Sequence, residues 1–347
     1  MSHTFHIYKS KRNLELRSYI TRWIREFFWS QNFLEVETPI IVKYPGQEPN
    51  LSPMKIDVAN ERGQIFKGYL HTSPEYTMKK MLSSGFKNIF SICKTFRNEE
   101  SFGGTHNPEF TMLEWYRSDC DMFDLMRDVE ALFKFVIKRI KKLVIRNCKL
   151  GGNYQLPITN YQYSFRRVSM CDLWKKILDI DLGGYLTKEK MYELCVEKKY
   201  RVKKDESYEE LFYRIFLNEI EPGLEKMGAV IVYHYPAAMA ALSRLSTEDP
   251  RYAERFEVYV DGVEVANAFS ELRDAKEQLR RLRNEQAERR RLGKEVYDID
   301  MGFIEALESM PDSAGIALGV DRFVQILLGC KNIDDVLVLP MSKISNS

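Results

Sequence analysis

A β-hairpin is encoded around residues 95–110, whose sequence reads TFRNEESFGGTHNPEF. The apolar pattern predicts one strand over residues 89–96 and another over residues 110–116, with a loop of small residues between them. We expect Arg97 and Glu99 to point from the same strand face, because side chains alternate along a strand. A cation and a carboxylate would then face the same way. An exposed cross-strand ion pair, which is common and weak, explains the pattern more simply.

Carboxylates recur in two strand-like segments further along the chain. Arg255 and Glu257 repeat the spacing of cation and carboxylate, and Glu264 and Glu271 flank Asn267 among apolar residues. Burial of such carboxylates without partners would be strongly unfavourable. We therefore expect cations to share their site.

Four cations could share the site with these carboxylates: Arg97, Arg322, a metal ion or a substrate amine. A magnesium nucleotide would satisfy the requirement. The chain contains neither G-x-x-x-x-G-K-[ST] nor G-x-G-x-x-G, so arginines and Mg²⁺ would have to hold the phosphates. Arginine suits this role because its planar guanidinium binds phosphate oxygens in pairs and stays charged.

The composition is that of a globular protein. Of 347 residues, 44% are hydrophobic and 29% are charged, which excludes a disordered chain. No repeat or long linker divides the sequence, so we expect one folded unit over residues 1–347. The formal net charge of +2 does not call for nucleic acid. Scattered cysteines and the lack of a secretory signal or membrane-length apolar segment indicate a cytoplasmic protein.

The apolar periodicity predicts the remaining elements. A helix from Leu16 should stop near Asn32, and a strand over residues 33–38 should end at Pro39. The other expected elements are a helix at 75–83, a mainly helical region at about 120–228, strands at 230–235, 254–260 and 263–269, a turn at Asp261 and Gly262, a charged helix at 272–292, and a strand running into a helix at 315–329.

Three of these segments, in order, resemble motifs 1, 2 and 3 of the class II aminoacyl-tRNA synthetases. They are the segment ending in Val36-Glu37-Thr38-Pro39, the hairpin from Phe96 to Tyr116, and Gly315-Ile316-Ala317-Leu318-Gly319-Val320-Asp321-Arg322. Residues 72–76, 106–116 and 264–271 resemble the lysyl branch, and most of all its free-standing members that ligate lysine to elongation factor P. The resemblance covers roughly residues 14–340. It implies an α/β (α+β) fold with an antiparallel sheet flanked by helices, the catalytic core of that class.

The resemblance assigns one group of residues to ATP. It comprises Arg97, Asn98, Glu99, Asn107, Phe110, Glu264, Val265, Gly319 and Arg322. Arg97 and Arg322 would be the catalytic residues, with Arg97 on the α-phosphate and substrate carboxylate and Arg322 over the adenine and pyrophosphate. Glu99 would contact the adenine amino group, and Phe110 would stack on the ring.

A second group would bind the amino acid. It comprises Ser73, Pro74, Glu75, Tyr116, Asn267, Glu271 and Ala317. Glu75 would receive the backbone amine, Asn267 would assist with the carboxylate, and Glu271 with the Tyr116 hydroxyl would hold the ε-ammonium. A neutral amino acid would leave Glu271 buried and unpaired, so we expect the site to reject it.

Glu257 and Glu264 resemble the carboxylates that hold Mg²⁺ in the family, so ATP and Mg²⁺ are the implied cofactors. The substrate carboxylate itself would attack the α-phosphorus in line, and no side chain need act as nucleophile. Positioning and charge neutralisation would carry the chemistry.

The acceptor is predicted from what precedes the first motif. Lysyl-tRNA synthetases carry an N-terminal five-stranded barrel that binds the anticodon, and fifteen residues cannot form one. We therefore expect no anticodon-binding domain, and elongation factor P rather than tRNA as the acceptor. The basic segment 280–294 would suit an acidic partner, or is simply a solvated helix face. A lysyl-tRNA synthetase without that domain and a non-catalytic regulatory protein remain open, and the family implies a homodimer through residues 16–39.

Two local departures bear on the substrates. Lysyl-tRNA synthetases have glycine at the position of Ala317, whereas the elongation factor P ligases have alanine, which is associated with (R)-β-lysine. One methyl group is worth about 1–3 kcal/mol, or roughly ten- to two-hundredfold, so we predict (R)-β-lysine over α-lysine. The loop at residues 101–105 lacks the arginine that usually precedes the His-Asn pair. Its glycines predict either a mobile lid that recruits Lys94 or Arg322 to the γ-phosphate or a weaker affinity for ATP.

Overall fold

The computed structural model describes residues 2–149 and 164–345. Numbered in chain order, the strands of this part are β1 (Leu34–Glu35), β2 (Ile41–Val42), β3 (Met54–Ala59), β4 (Ile65–Leu70), β5 (Ile89–Phe96), β6 (Glu109–Ser118), β7 (Arg166–Ser169), β8 (Ala229–Pro236), β9 (Tyr252–Val260), β10 (Val263–Ser270) and β11 (Ser313–Gly319).

The helices of the same residues surround these strands. They are α1 (His3–Ser30), α2 (Glu75–Ser83), α3 (Met122–Lys149), α4 (Met170–Leu178), α5 (Lys188–Glu197), α6 (Tyr208–Ile215), α7 (Glu221–Leu224), α8 (Ala275–Arg291), α9 (Met301–Leu307), α10 (Val320–Leu328) and α11 (Met341–Ile344), with short 3₁₀ or π turns between some of them. Across the described ranges, no helix is long and apolar enough to cross a membrane.

A large sheet organises the molecule. In the described part of the chain it has eight strands in the order β1-β5-β6-β11-β10-β9-β8-β7. Adjacent strands are antiparallel except at the two edges, where β1 pairs parallel with β5 and β7 with β8. The predicted architecture, an antiparallel sheet flanked by helices, is confirmed.

One face of this sheet is covered by α1, α3 and α10. Phe28 of α1 stacks on Phe90 of β5, with ring centroids 4.9 Å apart, and lies 5.1 Å from Trp115 of β6. Leu113, Trp115, Ile316 and Leu318 belong to the same buried core. Because side chains alternate across a sheet, the residues between them point to the opposite face, where the polar residues are found.

Helix α1 begins at His3, well before the predicted start near Leu16. The Ser2 side chain caps it by accepting a hydrogen bond from the Phe5 amide. The buried His6 ring bonds through Nε2 to the carbonyl of Leu337, 3.1 Å away. The first turns are thus fixed by polar contacts with the C-terminal segment, which apolar periodicity does not register.

The strand predicted over residues 33–38 is also shorter than expected. Its regular pairing with β5 is limited to Leu34–Glu35, although the Val36 amide still donates to the Phe90 carbonyl at 2.8 Å. The sheet of β2, β3 and β4 was not predicted at all. Its strand Met54–Ala59 is largely exposed, although Met54, Ile56 and Val58 alternate with polar residues as strand residues do, so a sequence signal was present.

The region at about 120–228 is mainly helical as expected, containing α3 to α7, although residues 150–163 lie outside the described part. The short strand β7, rich in exposed arginine, was missed. Helices α4 and α6 pack against β8 and β9 and form a separate buried core with them. This core includes Trp174, Phe212, Ile215 and Val232. This region therefore extends the edge of the sheet beyond β9.

Candidate active site

A cavity of about 680 Å³ lies over the open face of the large sheet. Its floor comes from alternate residues of β6, β10 and β11, where Ala317 lies between Asn267 and Glu114 as cross-strand neighbours. The predicted site residues that line it are Ser73, Glu75, Arg97, Asn107, Phe110, Tyr116, Glu257, Glu264, Val265, Asn267, Ala317, Gly319 and Arg322. The structure thus brings most of the predicted residues into one cleft.

Four predicted residues are not part of the cavity lining: Pro74, Asn98, Glu99 and Glu271. Pro74 is the buried N-cap residue of α2. Glu271 lies just outside the lining, next to the lining residue Gly315: a Cβ atom on Gly315 would come within 2.5 Å of Glu271 Oε1. The other two lie on the exposed turn of the hairpin.

The expectation that Arg97 and Glu99 share a strand face is wrong. Strand β5 ends at Phe96, and Glu99 has a left-handed backbone with φ of 62°. The Asn98 amide donates to the Ser52 carbonyl at 2.7 Å, and the Ser52 hydroxyl donates to Glu99 Oε2 at 2.5 Å. These contacts with a distant segment turn Glu99 outward while Arg97 lines the cavity.

Arg97 marks one end of the cavity. Its guanidinium carbon lies 5.1 Å from the centre of the Phe110 ring. Its Nε is buried and has no hydrogen-bond partner among the described residues. Burial lowers the pKa of Arg97, opposed by the nearby carboxylates of Glu100, Glu264 and Glu48. A buried donor without an acceptor suits an anionic ligand, such as a phosphate or carboxylate.

Arg322 connects the hairpin loop to β10. Its Nε donates to the Thr105 carbonyl at 3.0 Å, one terminal nitrogen donates to the Glu264 carbonyl at 2.9 Å, and the other lies 2.9 Å from His106 Nε2. The loop is further held by the Gly104 carbonyl, which accepts from Gln325 of α10. Lys94 instead pairs with Glu109 outside the cavity lining.

The two predicted Mg²⁺ carboxylates differ in their surroundings. Glu257 accepts hydrogen bonds from Arg255, Tyr235 and Tyr259, each at 2.6 Å, and is buried. Glu264 lines the cavity with Oε2 3.6 Å from Arg322, and burial raises its pKa to about 6. Among the described residues, no cluster of three or more His, Cys, Asp or Glu side chains could hold a metal. Of the two, Glu264 is thus the carboxylate open to the cavity, which fits Mg²⁺ held by one carboxylate together with nucleotide phosphates.

The other end of the cavity carries buried carboxylates. Glu75, in the first turn of α2, lines the cavity, and Glu271 follows β10. Both contact Lys79, whose Nζ is 2.5 Å from Glu75 Oε1 and 2.6 Å from Glu271 Oε2. Burial raises the pKa of Glu271 to about 7 despite Lys79.

Glu114 is a site residue that the sequence reasoning missed. It is buried in the cavity floor, accepting hydrogen bonds from Ser73 at 2.6 Å and from the Tyr116 hydroxyl at 3.0 Å. Burial raises its pKa to about 8, helped by the charge of Glu75. The signal was present, because Glu114 is two residues before Tyr116 on the same strand and shares its face.

Asn267 is held by Arg255. The Arg255 Nε donates to Asn267 Oδ1 at 3.3 Å, while its terminal nitrogens bond the Met239 carbonyl and Glu257. Arg255 and Lys79 are therefore the buried partners of Glu257 and Glu271, in place of the arginines named from the sequence.

Part of the charge of the basic segment in α8 is paired within the chain. Arg280 and Arg281 both pair with Glu277, and Arg291 pairs with Glu288. Arg289 is buried against backbone carbonyls, including those of residues 48 and 51. Arg289 is thus structural, while Arg283 and Arg290 stay exposed, so the role of this helix towards an acidic partner stays a prediction.

The fold and the cleft agree with the comparisons to known proteins. The sequence model of the family described as "tRNA synthetases class II (D, K and N)" matches residues 4–343. The chain therefore belongs to the class II aminoacyl-tRNA synthetase family, and it is an ATP-dependent amino-acid ligase.

Several curated proteins are similar to this chain over almost its whole length. A protein of Avibacterium paragallinarum is 38% identical over 330 residues, which is 94% of this chain and 95% of the relative. A protein of Pasteurella multocida is 37% identical over 330 residues, or 94% of each chain. A third, from Haemophilus ducreyi, is 35% identical over 336 residues, covering 96% of this chain and 95% of its own. All three are named elongation factor P–(R)-β-lysine ligase.

Proposed function

We propose that this protein activates (R)-β-lysine, or lysine, as an adenylate at the expense of ATP and transfers it to a lysine side chain of elongation factor P. The names of the relatives support this acceptor and this amino acid. The contacts and charges of the cavity support the chemistry. Elongation factor P replaces tRNA in this proposal, and no anticodon-binding domain is needed.

The observation that carries the proposal is the charge balance at the carboxylate end of the cavity. Glu75, Glu114 and Glu271 contribute three carboxyl groups there, and Lys79 contributes one buried cation. With all three ionised, two negative charges remain to be neutralised. A diamino acid brings two ammonium groups, whereas a neutral amino acid brings one and would leave a buried carboxylate unpaired.

The negatively charged groups, which are the phosphates of ATP and the carboxylate of the amino acid, would lie near the arginines. Arg97 would hold both the α-phosphate and the substrate carboxylate, since its Nε is buried without an acceptor. Phe110 would stack on the adenine, with Arg322 on its other side, and Gly319 would let the nucleotide approach β11. Asn107 and Val265 would flank the nucleotide, whereas Asn98 and Glu99, which lie on the outward-facing turn, are given no contact with it in this proposal.

In the first step, a carboxylate oxygen of the amino acid attacks the α-phosphorus. The bond from that phosphorus to the bridging oxygen breaks, and pyrophosphate leaves with the electron pair. Glu75 and Glu271 orient the ammonium groups, with Ser73 and Pro74 shaping the start of α2. Arg97 and Arg322 stabilise the charge on the phosphoryl oxygens, so that orientation and electrostatics supply the acceleration.

Mg²⁺, when bound, would add further positive charge at the phosphates. Glu264 would coordinate it. Glu257, which accepts a hydrogen bond from Arg255, would add negative charge close to the same site. In the second step, the uncharged ε-amine of the acceptor lysine attacks the adenylate carbonyl. An amide bond forms, AMP leaves, and the amine loses one proton.

Ala317 supports the choice of isomer. Its methyl group lies on the cavity floor between Asn267, which is proposed for the substrate carboxylate, and Glu114, which belongs to the carboxylate end of the cavity. Moving the amine from the α- to the β-carbon changes the distance between these two substrate groups. A methyl group at this point would therefore favour one isomer, and we propose (R)-β-lysine.

We further propose a cytoplasmic homodimer of single-unit protomers, with the region at about 120–228 as a helical insertion. An exposed apolar face from α1 to β1 supports the dimer: Tyr8, Tyr19, Trp29 and Leu34 are 77%, 45%, 52% and 53% exposed. Such a face is typical of a protein interface. The cytoplasm is where ATP and a translation factor are both present.

The experiment that tests the function is mass spectrometry of elongation factor P after incubation with enzyme, Mg-ATP and each lysine isomer in turn. We expect a mass gain of one lysyl group on one lysine, larger with (R)-β-lysine. A parallel incubation with tRNA serves as control. Charging of tRNA without modification of elongation factor P would refute the proposal.

A further inference from the structure

We propose that Lys79 is a positioning residue that ties Glu75 to Glu271 and so sets the geometry in which the site receives a diammonium substrate. This inference rests on the proposed function, because it concerns how the two carboxylates hold the amino acid. Lys79 does not line the cavity. It acts on the substrate only through its two neighbours.

The contacts of Lys79 define this role. Its side chain is 1% exposed, and Nζ bridges Glu75 Oε1 at 2.5 Å and Glu271 Oε2 at 2.6 Å. Glu75 lies one helical turn before Lys79 on α2, whereas Glu271 follows β10. One ammonium group thus joins two separate elements at the carboxylate end of the cavity.

The bridge uses one oxygen of Glu271 and leaves the other for a ligand. Both carboxylate oxygens of Glu271 are buried with no hydrogen-bond partner among the described residues; Oε2 is in ion-pair contact with Lys79, and Oε1 lies against Gly315. An unpartnered buried carboxylate oxygen is unfavourable in the free enzyme and becomes satisfied when a substrate ammonium arrives. Lys79 orients this oxygen, and its charge favours the ionised form.

Several titratable groups face Glu271. Lys79 and Glu75 approach from α2, and Glu114 and Tyr116 from β6, while β11 presents only Gly315. Lys79 is the sole cation of this set. Burial by itself would lower the pKa of Lys79, but its two carboxylates together raise that pKa, so the ammonium group stays charged. Without Lys79, the pKa of Glu271 would rise further, so that more of this carboxyl would be protonated at neutral pH and its attraction for an ammonium group would weaken.

The test compares Lys79→Gln with Lys80→Gln, a matched control on the same helix. Lys80 also pairs with a carboxylate, Asp300, at 2.6 Å, but is 38% exposed. For Lys79→Gln we expect the KM for the amino acid in pyrophosphate exchange to rise about tenfold or more at pH 7, as one unit of pKa shift corresponds to a tenfold change. The KM for ATP should stay within about twofold, and Lys80→Gln should match the wild type.

The pH profile separates positioning from a merely structural role. We expect the defect of Lys79→Gln to shrink as the pH rises from 6.5 to 8.5, because Glu271 then ionises without help. A defect that is independent of pH, or equal for ATP and amino acid, would overturn the inference. Should Lys79→Gln fail to fold, Lys79→Met is tested in the same way, and failure of both to give a folded, ATP-binding protein would mark Lys79 as a folding residue only.

A binding measurement keeps this inference separate from the proposed function. Thermal denaturation with added lysine or (R)-β-lysine requires no catalysis. If the wild type is stabilised by either compound but shows no exchange, the proposed function fails, and the loss of that stabilisation in Lys79→Gln would still support the role of Lys79. Equal stabilisation of variant and wild type at pH 7 would refute it.

Discussion

Gly315 lies directly opposite Tyr116 in the antiparallel pair of β11 and β6, and the missing side chain leaves the space that the Tyr116 ring occupies. The same space borders Glu271, whose Oε1 would be 2.5 Å from a Cβ atom at position 315. Tyr116 and Glu271 therefore both border the space that the missing side chain of Gly315 leaves free. This arrangement connects the floor of the cavity to the carboxylate at its edge.

Substitution Gly315→Ala should close this space. The added methyl group would overlap the buried Tyr116 ring and Glu271, so we expect unfolding to become easier by about 1–3 kcal/mol and the KM for the amino acid to rise at least tenfold. Gly184→Ala is the matched control, since a Cβ atom there meets nothing within 4 Å. Thermal denaturation and pyrophosphate exchange measure the two effects. An unchanged KM would contradict the placement of the amine end.

Substitution Ala317→Gly should weaken the preference between lysine isomers. Loss of one methyl group is worth about 1–3 kcal/mol, so we expect the ratio of kcat/KM for α-lysine to that for (R)-β-lysine to rise roughly ten- to two-hundredfold. Ala314→Gly removes a methyl group from the same strand on the face packed in the core. That control should lower stability and leave the ratio unchanged. A constant ratio in Ala317→Gly would remove Ala317 from the basis of specificity.

The sequence predicted most strands of the large sheet because their signals are local. Their apolar pattern located β5, β6, β9 and β10, and the turn at Asp261 and Gly262 has the positive φ values of 50° and 80° that such a hairpin turn requires. Arg97, Glu264 and Arg322 were found because charged residues stood out within strand-like or motif segments. Each of these signals can be recognised within about ten residues.

The contacts that sequence missed join distant segments. Ser52 turns Glu99 outward from 47 positions away, and Lys79 meets Glu271 across the fold. In the sequence, Lys79 resembles an ordinary exposed lysine of a helix, and no pattern in its neighbourhood indicates complete burial. Glu114 differs, because the face it shares with Tyr116 was visible in the sequence and was not followed.

Substitution Arg97→Ala should abolish most adenylate formation without weakening the fold. Because its Nε is buried without an acceptor, little native bonding is lost, while removal of a donor to the transition state typically lowers the rate about 10²–10³-fold. Arg117→Ala is the control: Arg117, on the same sheet, pairs with Asp128 at 3.0 Å. It should reduce stability and leave pyrophosphate exchange intact. Exchange by Arg97→Ala within threefold of the wild type would show that the phosphate lies elsewhere.

Binding of the amino acid should release protons near neutral pH. Burial raises the pKa of Glu271 to about 7 and that of Glu114 to about 8, so both are partly protonated in the free enzyme at pH 7. An arriving ammonium group favours the ionised forms and lowers both pKa values.

We therefore expect release of about one proton at pH 7, falling towards zero above pH 9, and an affinity that weakens as the pH falls from 8 to 6. Titration calorimetry in buffers of different ionisation enthalpy measures the number of protons. Glu114→Gln should reduce it, because glutamine cannot carry the proton that Glu114 gives up. Proton uptake, or a release that Glu114→Gln leaves unchanged while binding persists, would mean that these carboxyls do not receive the substrate's ammonium groups.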